Sequence, residues 1–279
     1  MSPPMPPEHA LIAAPDGRWE VRSAVPGADL AGLVLGYQGY VEHGGPVLCQ
    51  REVATTQIPV IVNFGPAFRI ASSGGAPESR GCFVAGLDSG YATVASTGPS
   101  HCMQVDFTPP GALRFFGGAM GELAGFVVML DDVLGPELAR LTERLYEADW
   151  PGRFAILDAF VRARLARMPA PSAEVDWAWR RLRASHGRVR IARLAERLGW
   201  SRKHLADRFS RELGRPPKTV ARLLRFEHLH AAIDPAAPLD WSDLAYQHGY
   251  ADQAHLIREF RHFAGITPTR FLSERRLLG

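Results

Sequence analysis

A pattern of apolar, glycine and aromatic residues occurs twice in the C-terminal part of the chain. Four pairs are separated by 50 positions: Leu194/Leu244, Ala195/Ala245, Gly199/Gly249 and Trp200/Tyr250. Five later pairs are separated by 51 positions: His204/His255, Leu205/Leu256, Phe209/Phe260, Gly214/Gly265 and Pro217/Pro268. The one-residue step lies between the two groups, where a turn tolerates an insertion. These nine ordered matches indicate an internal duplication, so both copies must fold into the same unit.

The second copy has the features of two short helices joined by a turn. Gly249 is the residue type that ends a helix in the left-handed conformation, and Asp252 offers an oxygen to cap the next helix. Leu256 and Phe260 are spaced i, i+4 and share one face of that helix. The opposite face carries Gln253, Ala254, His255, Arg258 and Arg261. This layout is typical of a helix-turn-helix.

The residues around the first copy predict the rest of the helical unit. Ser172 can cap a helix that continues to about His186 and ends near Gly187, and Ser201 can cap the second helix of the first motif. Pro217 stands in the first turn of a connecting helix of about 17 residues, where its fixed φ costs nothing. Such a helix spans roughly 26 Å and can hold two reading helices about one DNA turn apart.

From about Val175 to Arg276 the sequence resembles the AraC/XylS-type transcriptional regulators. The most specific stretch is GYADQAHLIREFRHFAGITPTRF, which follows that family's signature of a glycine–aromatic turn, His-Leu, Phe-x-x-x-x-Gly and x-Pro-x-x-Phe. The resemblance implies two helix-turn-helix subdomains joined by a long helix, with recognition helices in successive major-groove segments. It also implies double-stranded DNA as a partner and admits RNA polymerase as another. An activator of transcription is one expectation, and the sequence does not distinguish it from a repressor.

The resemblance assigns base-reading positions to Lys203 and Asp207 in the first motif and to Gln253, Ala254 and Arg258 in the second. Gln253 can pair with adenine and Arg258 with guanine, each through two hydrogen bonds. The Asp207 carboxylate can accept from cytosine N4, but it can equally pair with Arg202 or Arg211.

Four further side chains are expected to contact phosphate or neighbouring side chains: Arg202, Arg208, His255 and Arg261. Contacts between arginine and phosphate fix the register on DNA and dominate affinity without reading sequence. His204 and His255 occupy the same position in the two copies, and a hydrogen bond within the fold is the favoured interpretation there.

The charge of the chain is divided unevenly between its two parts. Residues 1–171 carry 12 basic and 17 acidic side chains, for a net charge of −5. Residues 172–279 carry 20 basic and 12 acidic side chains, for a net charge of +8, and seven of the ten histidines. A basic part next to an acidic one indicates that only the C-terminal part binds nucleic acid.

From about Trp19 to Phe107 the chain reads as short strands separated by Gly, Pro, Ser and Asp. The runs are LAGLVLGYQGYVEH, PVIVNFG, AFRIAS, CFVAGL, YATVAS and HCMQVDF. In the last run Met103, Val105 and Phe107 occupy alternate positions, as in a half-buried strand. Several short strands predict a sandwich or barrel, and the resemblance implies a cupin-like barrel.

Two helical stripes follow the strands. One consists of Leu138, Leu141 and Leu145, and the other of Phe154, Leu157, Val161 and Leu165. Each stripe can pack on the strand region or form the contact of a homodimer, and the sequence does not choose between the two.

The expected fold is α+β with two domains: an N-terminal cupin-like β-barrel or sandwich with appended helices, and a C-terminal all-α double helix-turn-helix. We expect a flexible proline-rich arm at 1–18 and a DNA-binding domain at 172–279. Between them we expect a β-rich sensor or dimerisation domain at 19–168, with helices at about 136–167. The short segment MPAPSAE is the predicted linker.

No motif in the sequence indicates catalysis or cofactor binding. Cys49, Cys82 and Cys102 lie far apart without CxxC spacing and are expected to be free, buried thiols. No His-x-His pair occurs in the N-terminal half, and the chain has no glycine-rich phosphate loop or G-x-S-x-G elbow. We therefore expect no enzyme, no metal and no cofactor. Because no long apolar run or signal segment occurs, we expect a cytoplasmic protein without a membrane partner.

The N-terminal domain is expected to bind an unknown small-molecule effector, to dimerise, or both. Tyr37, Tyr40, Phe64, His101 and Gln104 are of the types that line a mostly apolar pocket with a few polar groups. The predicted function is therefore sequence-specific DNA binding that regulates transcription. Two alternatives stay open: a β-barrel small-molecule enzyme localised by a DNA-binding domain, and a regulator whose first half serves only for oligomerisation.

Overall fold

The computed structural model of the protein describes residues 8–13, 19–43, 49–73, 75–87, 90–96, 98–118, 120–234, 236–237 and 239–278. Within these ranges the N-terminal part contains eleven strands and five α-helices, and the C-terminal part contains seven α-helices. The expected α+β architecture, with strands first and a helical region after them, is confirmed.

Short β-branched and aromatic runs form two antiparallel sheets. In chain order the strands are β1 (Glu8–Ala13), β2 (Trp19–Ala24), β3 (Val34–Glu42), β4 (Cys49–Glu52), β5 (Ile58–Asn63), β6 (Phe68–Ser72), β7 (Glu78–Arg80), β8 (Phe83–Ala85), β9 (Ala92–Ala95), β10 (His101–Phe107) and β11 (Val127–Met129). The larger sheet has the order β1-β2-β3-β10-β5-β8-β11, and the smaller has the order β4-β9-β6-β7.

Each face of the larger sheet covers a different core. On β10, Met103 and Val105 face the large core, whereas Cys102 faces a small core between the two sheets. In that small core Phe68 of the smaller sheet meets Phe83 of the larger sheet edge to face, with ring centroids 6.3 Å apart. The two-sheet packing agrees with the predicted sandwich, while the cupin-like assignment stays a prediction.

Helices cover the other face of the larger sheet and then form the C-terminal part. In chain order they are α1 (Pro109–Phe116), α2 (Met120–Leu123), α3 (Leu130–Leu134), α4 (Pro136–Glu147), α5 (Trp150–Arg167), α6 (Ala173–Ala184), α7 (Ile191–Arg197), α8 (Arg202–Leu213), α9 (Pro217–Ala232), α10 (Trp241–Gln247), α11 (Gln253–Ala264) and α12 (Pro268–Leu278). No helix in the described ranges is both long and apolar enough to cross a membrane.

The stripes of α4 and α5 lie inside the chain's own core. Leu138, Leu141 and Leu145 are buried, and so are the four apolar residues of the α5 stripe. Of the two interpretations of these stripes, the structure shows packing against the strand region. Any dimer contact made by these helices would therefore use their other faces.

The large core continues without a break from the sheet into the C-terminal helices. Phe107 of β10 and Phe209 of α8 belong to the same cluster of buried apolar residues. Helices α1 and α2 pack against α8, which places the first helix-turn-helix directly on the N-terminal part. The short linker is consistent with this close packing.

Part of the segment expected to be a flexible arm forms a strand. Residues Glu8–Ala13 make β1, which pairs with β2 from Glu8↔Ala24 to Ala13↔Glu20. Without β1, β2 would be the edge strand of the larger sheet and its outward main-chain groups would be unpaired. Pairing with β1 satisfies these groups, which explains why this segment forms a strand. The other residues of the predicted arm lie outside the described ranges.

Two smaller expectations also differ from the structure, and three helices were not predicted. Ser172 precedes α6 but makes no capping bond, because its hydroxyl donates to the Glu212 carboxylate instead, at 2.9 Å. Cys49 is exposed rather than buried, because β4 is the edge strand of the smaller sheet. The sequence did not predict α1, α2 and α3, because glycine and proline residues interrupt the stretch in which they lie.

Candidate nucleic-acid interface

The first motif is formed by α7, a glycine turn and α8. Gly199 has φ +68°, a left-handed conformation that costs glycine little, and it ends the first helix of the motif. Ser201 then accepts a hydrogen bond from the His204 amide at 3.1 Å, as expected for a helix cap. Leu205 and Phe209 are fully buried and fix α8 to the core.

The second motif repeats this construction with α10 and α11. Gly249 has φ +75°, and Asp252 accepts from the His255 amide at 2.6 Å. Leu256 and Phe260 are fully buried on the inner face of α11. The predicted caps and core residues of both motifs are therefore in place.

The likeness between the two copies extends to individual contacts. The amides of Trp200 and Tyr250 donate to the carbonyls of Ala195 and Ala245, both at 2.9 Å. The His204 ring lies edge-on to Trp200, and the His255 ring lies edge-on to Tyr250. The duplication is thus a repeat of tertiary packing as well as of sequence.

Most of the predicted contact residues on α8 face solvent. Arg202, Lys203 and Asp207 are exposed. Arg208 is half-buried and pairs with Glu212 at 2.9 Å, and the same Glu212 carboxylate accepts from the amide and hydroxyl of Ser172. Arg208 therefore helps to hold α8 against the start of α6.

The outer face of α11 presents the second set. Gln253, Ala254, Arg258 and Arg261 are exposed. The Gln253 side-chain oxygen accepts from the Ser242 hydroxyl at 3.2 Å, a bond that orients the amide group. His255 is half-buried, and its Nδ1 accepts from the Ala251 amide at 3.3 Å, in agreement with the favoured structural role.

Helix α9 connects the motifs and fixes the orientation of α11. Arg222 on α9 pairs with Glu259 on α11 through three contacts of 2.8 to 3.1 Å. Burial alone would raise the pKa of Glu259, but the hydrogen bonds and charge of Arg222 outweigh it and lower that pKa. Phe226 of α9 also packs on Phe260 and Phe263, at centroid distances of 5.3 and 5.2 Å.

Three histidines join the two motifs on another side of α9. His186 follows α6, His228 lies on α9, and His248 ends α10. The rings of His186 and His228 stack with centroids 3.9 Å apart, and His228 Nδ1 lies 3.0 Å from His248 Nδ1. One of these two nitrogens must be unprotonated for a hydrogen bond to form.

Burial and neighbouring charges make protonation of His228 and His248 unfavourable. Burial first, and then the other histidines and Arg188, lower the pKa of both His228 and His248. Within the described ranges, no group of three or more histidine, cysteine or carboxylate side chains is arranged to hold a metal ion. Within the cluster, His228 and His248 are therefore favoured in their neutral forms.

Contacts from the N-terminal part reach the connecting helix and the end of α11. The Glu227 carboxylate on α9 accepts from the amide of Thr56 and, at 2.8 Å, from its hydroxyl. Ala54 donates its amide to the Phe263 carbonyl at 2.9 Å. The sequence did not predict that Ala54, Thr56 and Glu227 make these contacts. One available signal was Glu227 itself, an acidic residue at helical spacing from the buried Val220 and Leu224.

The five residues proposed to line an effector pocket do not form one site. Tyr37 faces the helical layer and donates to Asp158 at 2.9 Å, while Tyr40 faces the smaller sheet and donates to Glu42 at 3.2 Å. Gln104 lies on the same face of the sheet as Tyr40 and donates to Asp106. Phe64 and His101 alone are neighbours among the five, with ring centroids 4.9 Å apart.

Replacement of Glu259 tests the ion pair that orients α11. Glu259→Gln should lower the free energy of unfolding by about 2 kcal/mol, because it removes the charge from the partly buried ion pair between Glu259 and Arg222. Urea denaturation measures the change. The control Glu196→Gln removes one negative charge at an exposed position of α7 and should change stability by less than about 0.5 kcal/mol. Equal effects of the two substitutions would contradict the structural role of the pair.

Replacement of His248 tests the histidine cluster. The folded protein keeps His228 and His248 neutral below the ordinary pKa of 6.5, whereas the unfolded chain takes up protons there. These groups therefore cost the folded state stability as pH falls below about 6.5. His248→Gln should reduce the loss of unfolding free energy between about pH 7.5 and pH 5.5, with His262→Gln, at an exposed position of α11, as the control. An unchanged pH dependence in His248→Gln would show that the cluster does not resist protonation.

Comparison with known proteins places residues 194–274 in a family described as a helix-turn-helix domain. Two uncharacterised HTH-type transcriptional regulators of Staphylococcus aureus, from strains MSSA476 and MRSA252, are each 31% identical over 91 residues. These matches cover 32% of this chain and 12% of each relative, so the chain spans about an eighth of the length of those relatives.

Two solved structures resemble a larger share of the chain at low identity. ToxT from Vibrio cholerae is 11% identical with a TM-score of 0.46, and the match covers 85% of this chain and 97% of ToxT. The AraC-like transcriptional activator CuxR is 16% identical with a TM-score of 0.33, and the match covers 80% of this chain and 86% of CuxR. These scores are too low to establish a common overall fold. The family match and the repeated motif together identify residues 194–274 as a helix-turn-helix domain.

Proposed function

We propose that the protein is a transcription regulator that binds double-stranded DNA sequence-specifically through α8 and α11. The observation that carries the proposal is the pair of recognition helices, each capped, buried on one face and polar on the other. Helix α9 has 16 residues and spans about 24 Å between the motifs. The two outer faces can therefore meet successive major-groove segments of one duplex.

Base reading is assigned to the exposed polar side chains of the two helices. Gln253 suits adenine and Arg258 suits guanine, because each presents two hydrogen-bonding groups in the matching geometry. Lys203, Asp207 and Ala254 are the other proposed base-contacting residues, and all three are exposed. The bond from Ser242 to Gln253 supports this assignment, since it reduces the freedom that the amide would lose on binding.

Phosphate contacts are assigned mainly to Arg202 and Arg261, which are exposed on the same helices. For Arg208 and His255 the sequence left contact with phosphate or with neighbouring side chains open, and both have partners within the fold. The net charge of +8 in residues 172–279 supports an electrostatic contribution to affinity. The exposed arginines are the part of that charge best placed to meet DNA.

The N-terminal part is proposed to sense a small molecule and to pass its state to the DNA-binding helices. The bonds from Ala54 and Thr56 to α11 and α9 support this proposal, because they join the β4–β5 connection to both elements. A shift of that connection would change the orientation of α9 and the end of α11 together. Homodimer formation, contact with RNA polymerase and a cytoplasmic location stay predictions from the sequence.

The enzyme alternative has no support from the comparisons, whose family and named relatives are helix-turn-helix proteins and transcription regulators. An N-terminal part that serves only for oligomerisation is the remaining alternative. It would be favoured by a dimer whose affinity for DNA is unaffected by any small molecule.

Replacement of Arg258 tests base reading. Arg258→Ala should weaken binding to the preferred site by about 1–3 kcal/mol and relax selectivity at one base pair, because a bidentate contact to guanine is lost. Selection from a random DNA pool, followed by competition binding, measures both effects. Arg261→Ala, one turn further along the same helix, is the matched control and should weaken all sequences equally. Uniform weakening by Arg258→Ala would refute base reading by this residue.

The dependence of affinity on salt tests the phosphate contacts. The logarithm of the binding constant should fall linearly with the logarithm of salt concentration, because several condensed counterions are released. The double variant Arg202→Gln/Arg261→Gln should reduce this slope by about two, at roughly one per lost phosphate contact. The exposed pair Arg167→Gln/Arg180→Gln, outside both motifs, provides the control. An unchanged slope in the Arg202/Arg261 variant would place the DNA on another surface.

A further inference from the structure

A cavity of about 460 Å³ lies where β3, β10 and the start of α5 meet. Its lining includes His101, Trp150 and Arg153, together with the carboxylates of Glu20 and Glu42. The ring of Phe64 lies beside His101 and lines a second cavity of about 600 Å³ toward α4. The space beyond Phe64 is bounded by Leu138 and Tyr146, among others.

Arg153 is a buried cation that makes no salt bridge within the described part of the chain, although the Asp149 carboxylate acts on it electrostatically. It is only 8% exposed, and its guanidinium lies 4.9 Å from the Trp150 ring and 5.5 Å from the Phe64 ring. It donates to the carbonyls of Leu145 and Tyr146, at 2.8 and 3.3 Å, and contacts His101 Nε2. Burial of a charge without a direct ion pair is unfavourable, so an anion in contact with the guanidinium would stabilise this arrangement.

The guanidinium retains hydrogen-bonding capacity for a ligand. An arginine side chain has five N–H groups, and the contacts to Leu145, Tyr146 and His101 use one on each of its three nitrogens. One N–H on each terminal nitrogen is left without an acceptor among the described residues. Two such groups are what a carboxylate accepts in a bidentate contact.

The acidic residues of the cavity already have partners. Glu20 pairs with Arg22 at 3.4 Å. Glu42 accepts from the hydroxyls of Tyr40 and Ser96, both at 3.2 Å. These contacts occupy the carboxylate oxygens of Glu20 and Glu42, so neither residue uses the two N–H groups that Arg153 has left.

His101 completes the polar part of the cavity in its neutral form. Burial, followed by the charge of Arg153, lowers the pKa of His101 to about 4. At neutral pH its Nε2 can accept from Arg153 and adds no second positive charge. Its ring, together with those of Trp150 and Phe64, provides an aromatic wall next to the guanidinium.

We propose that this cavity binds a small organic carboxylate with an apolar or aromatic body, whose carboxylate accepts two hydrogen bonds from Arg153. The body of the ligand lies against Trp150 and Phe64, in the direction of the second cavity. Identifying this ligand as the effector rests on the proposed regulatory function, whereas the binding site itself does not.

Calorimetric titration of the full chain without DNA tests the site. Phenylacetate and octanoate are the probes, and phenylacetamide and octanamide are uncharged analogues of nearly the same shape. At least one carboxylate should bind about tenfold or more tightly than its amide, a difference of about 1.4 kcal/mol. Arg153→Gln should abolish this preference, while Arg167→Gln, at an exposed position of the same helix, should retain it.

The proposal is overturned if neither carboxylate binds, if carboxylates and amides bind equally, or if Arg153→Gln retains the preference. Should Arg153→Gln fail to fold, Arg153→Lys keeps the charge but not the bidentate geometry and should show a reduced preference. DNA binding measured separately distinguishes the proposals: a chain that binds the carboxylate but no DNA would contradict only the proposed function.

Discussion

The burial of α9 is the constraint on which the rest of the C-terminal part depends. Its buried face packs against α6, α8 and α11, and Phe226 contacts both Phe260 and Phe263 of the second recognition helix. The ion pair between Arg222 and Glu259 adds direction to this apolar contact, because two charged planar groups meet in only a few geometries. Helix α9 therefore fixes the distance and the angle between α8 and α11.

The same helix connects the reading faces to the N-terminal part. Glu227 binds Thr56, while α1 and α2 pack against α8 at the other motif. Both motifs are consequently held from the outside as well as from within. Burial raises the pKa of Glu227, and the bonds from Thr56 oppose that effect, which indicates that this contact is enclosed rather than solvated. A change within the sheets can thus reach both recognition helices through packed contacts.

Features fixed by local chemistry were predictable from the sequence. The glycine turns, the caps Ser201 and Asp252, and the buried pair in each recognition helix depend on residues within one or two turns. Contacts between distant segments were not predictable. The bond from Thr56 to Glu227 joins positions 171 residues apart, and no local pattern pairs them. The five proposed pocket residues are divided between two faces of the sheet for a local reason: Tyr37 and Tyr40 are an odd number of positions apart on β3 and so face opposite sides.

Helix α9 is proposed to hold the recognition helices α8 and α11 at one fixed spacing on a single duplex. The most direct measurement is the affinity for a selected DNA site in which base pairs are inserted between its two contacted segments. A rigid connection predicts that an insertion of about five base pairs, half a helical turn, reduces affinity to the non-specific level, because the second segment then faces away. Affinity that is unchanged by this insertion would contradict the account, since it would show that the helices read DNA independently or that only one of them does.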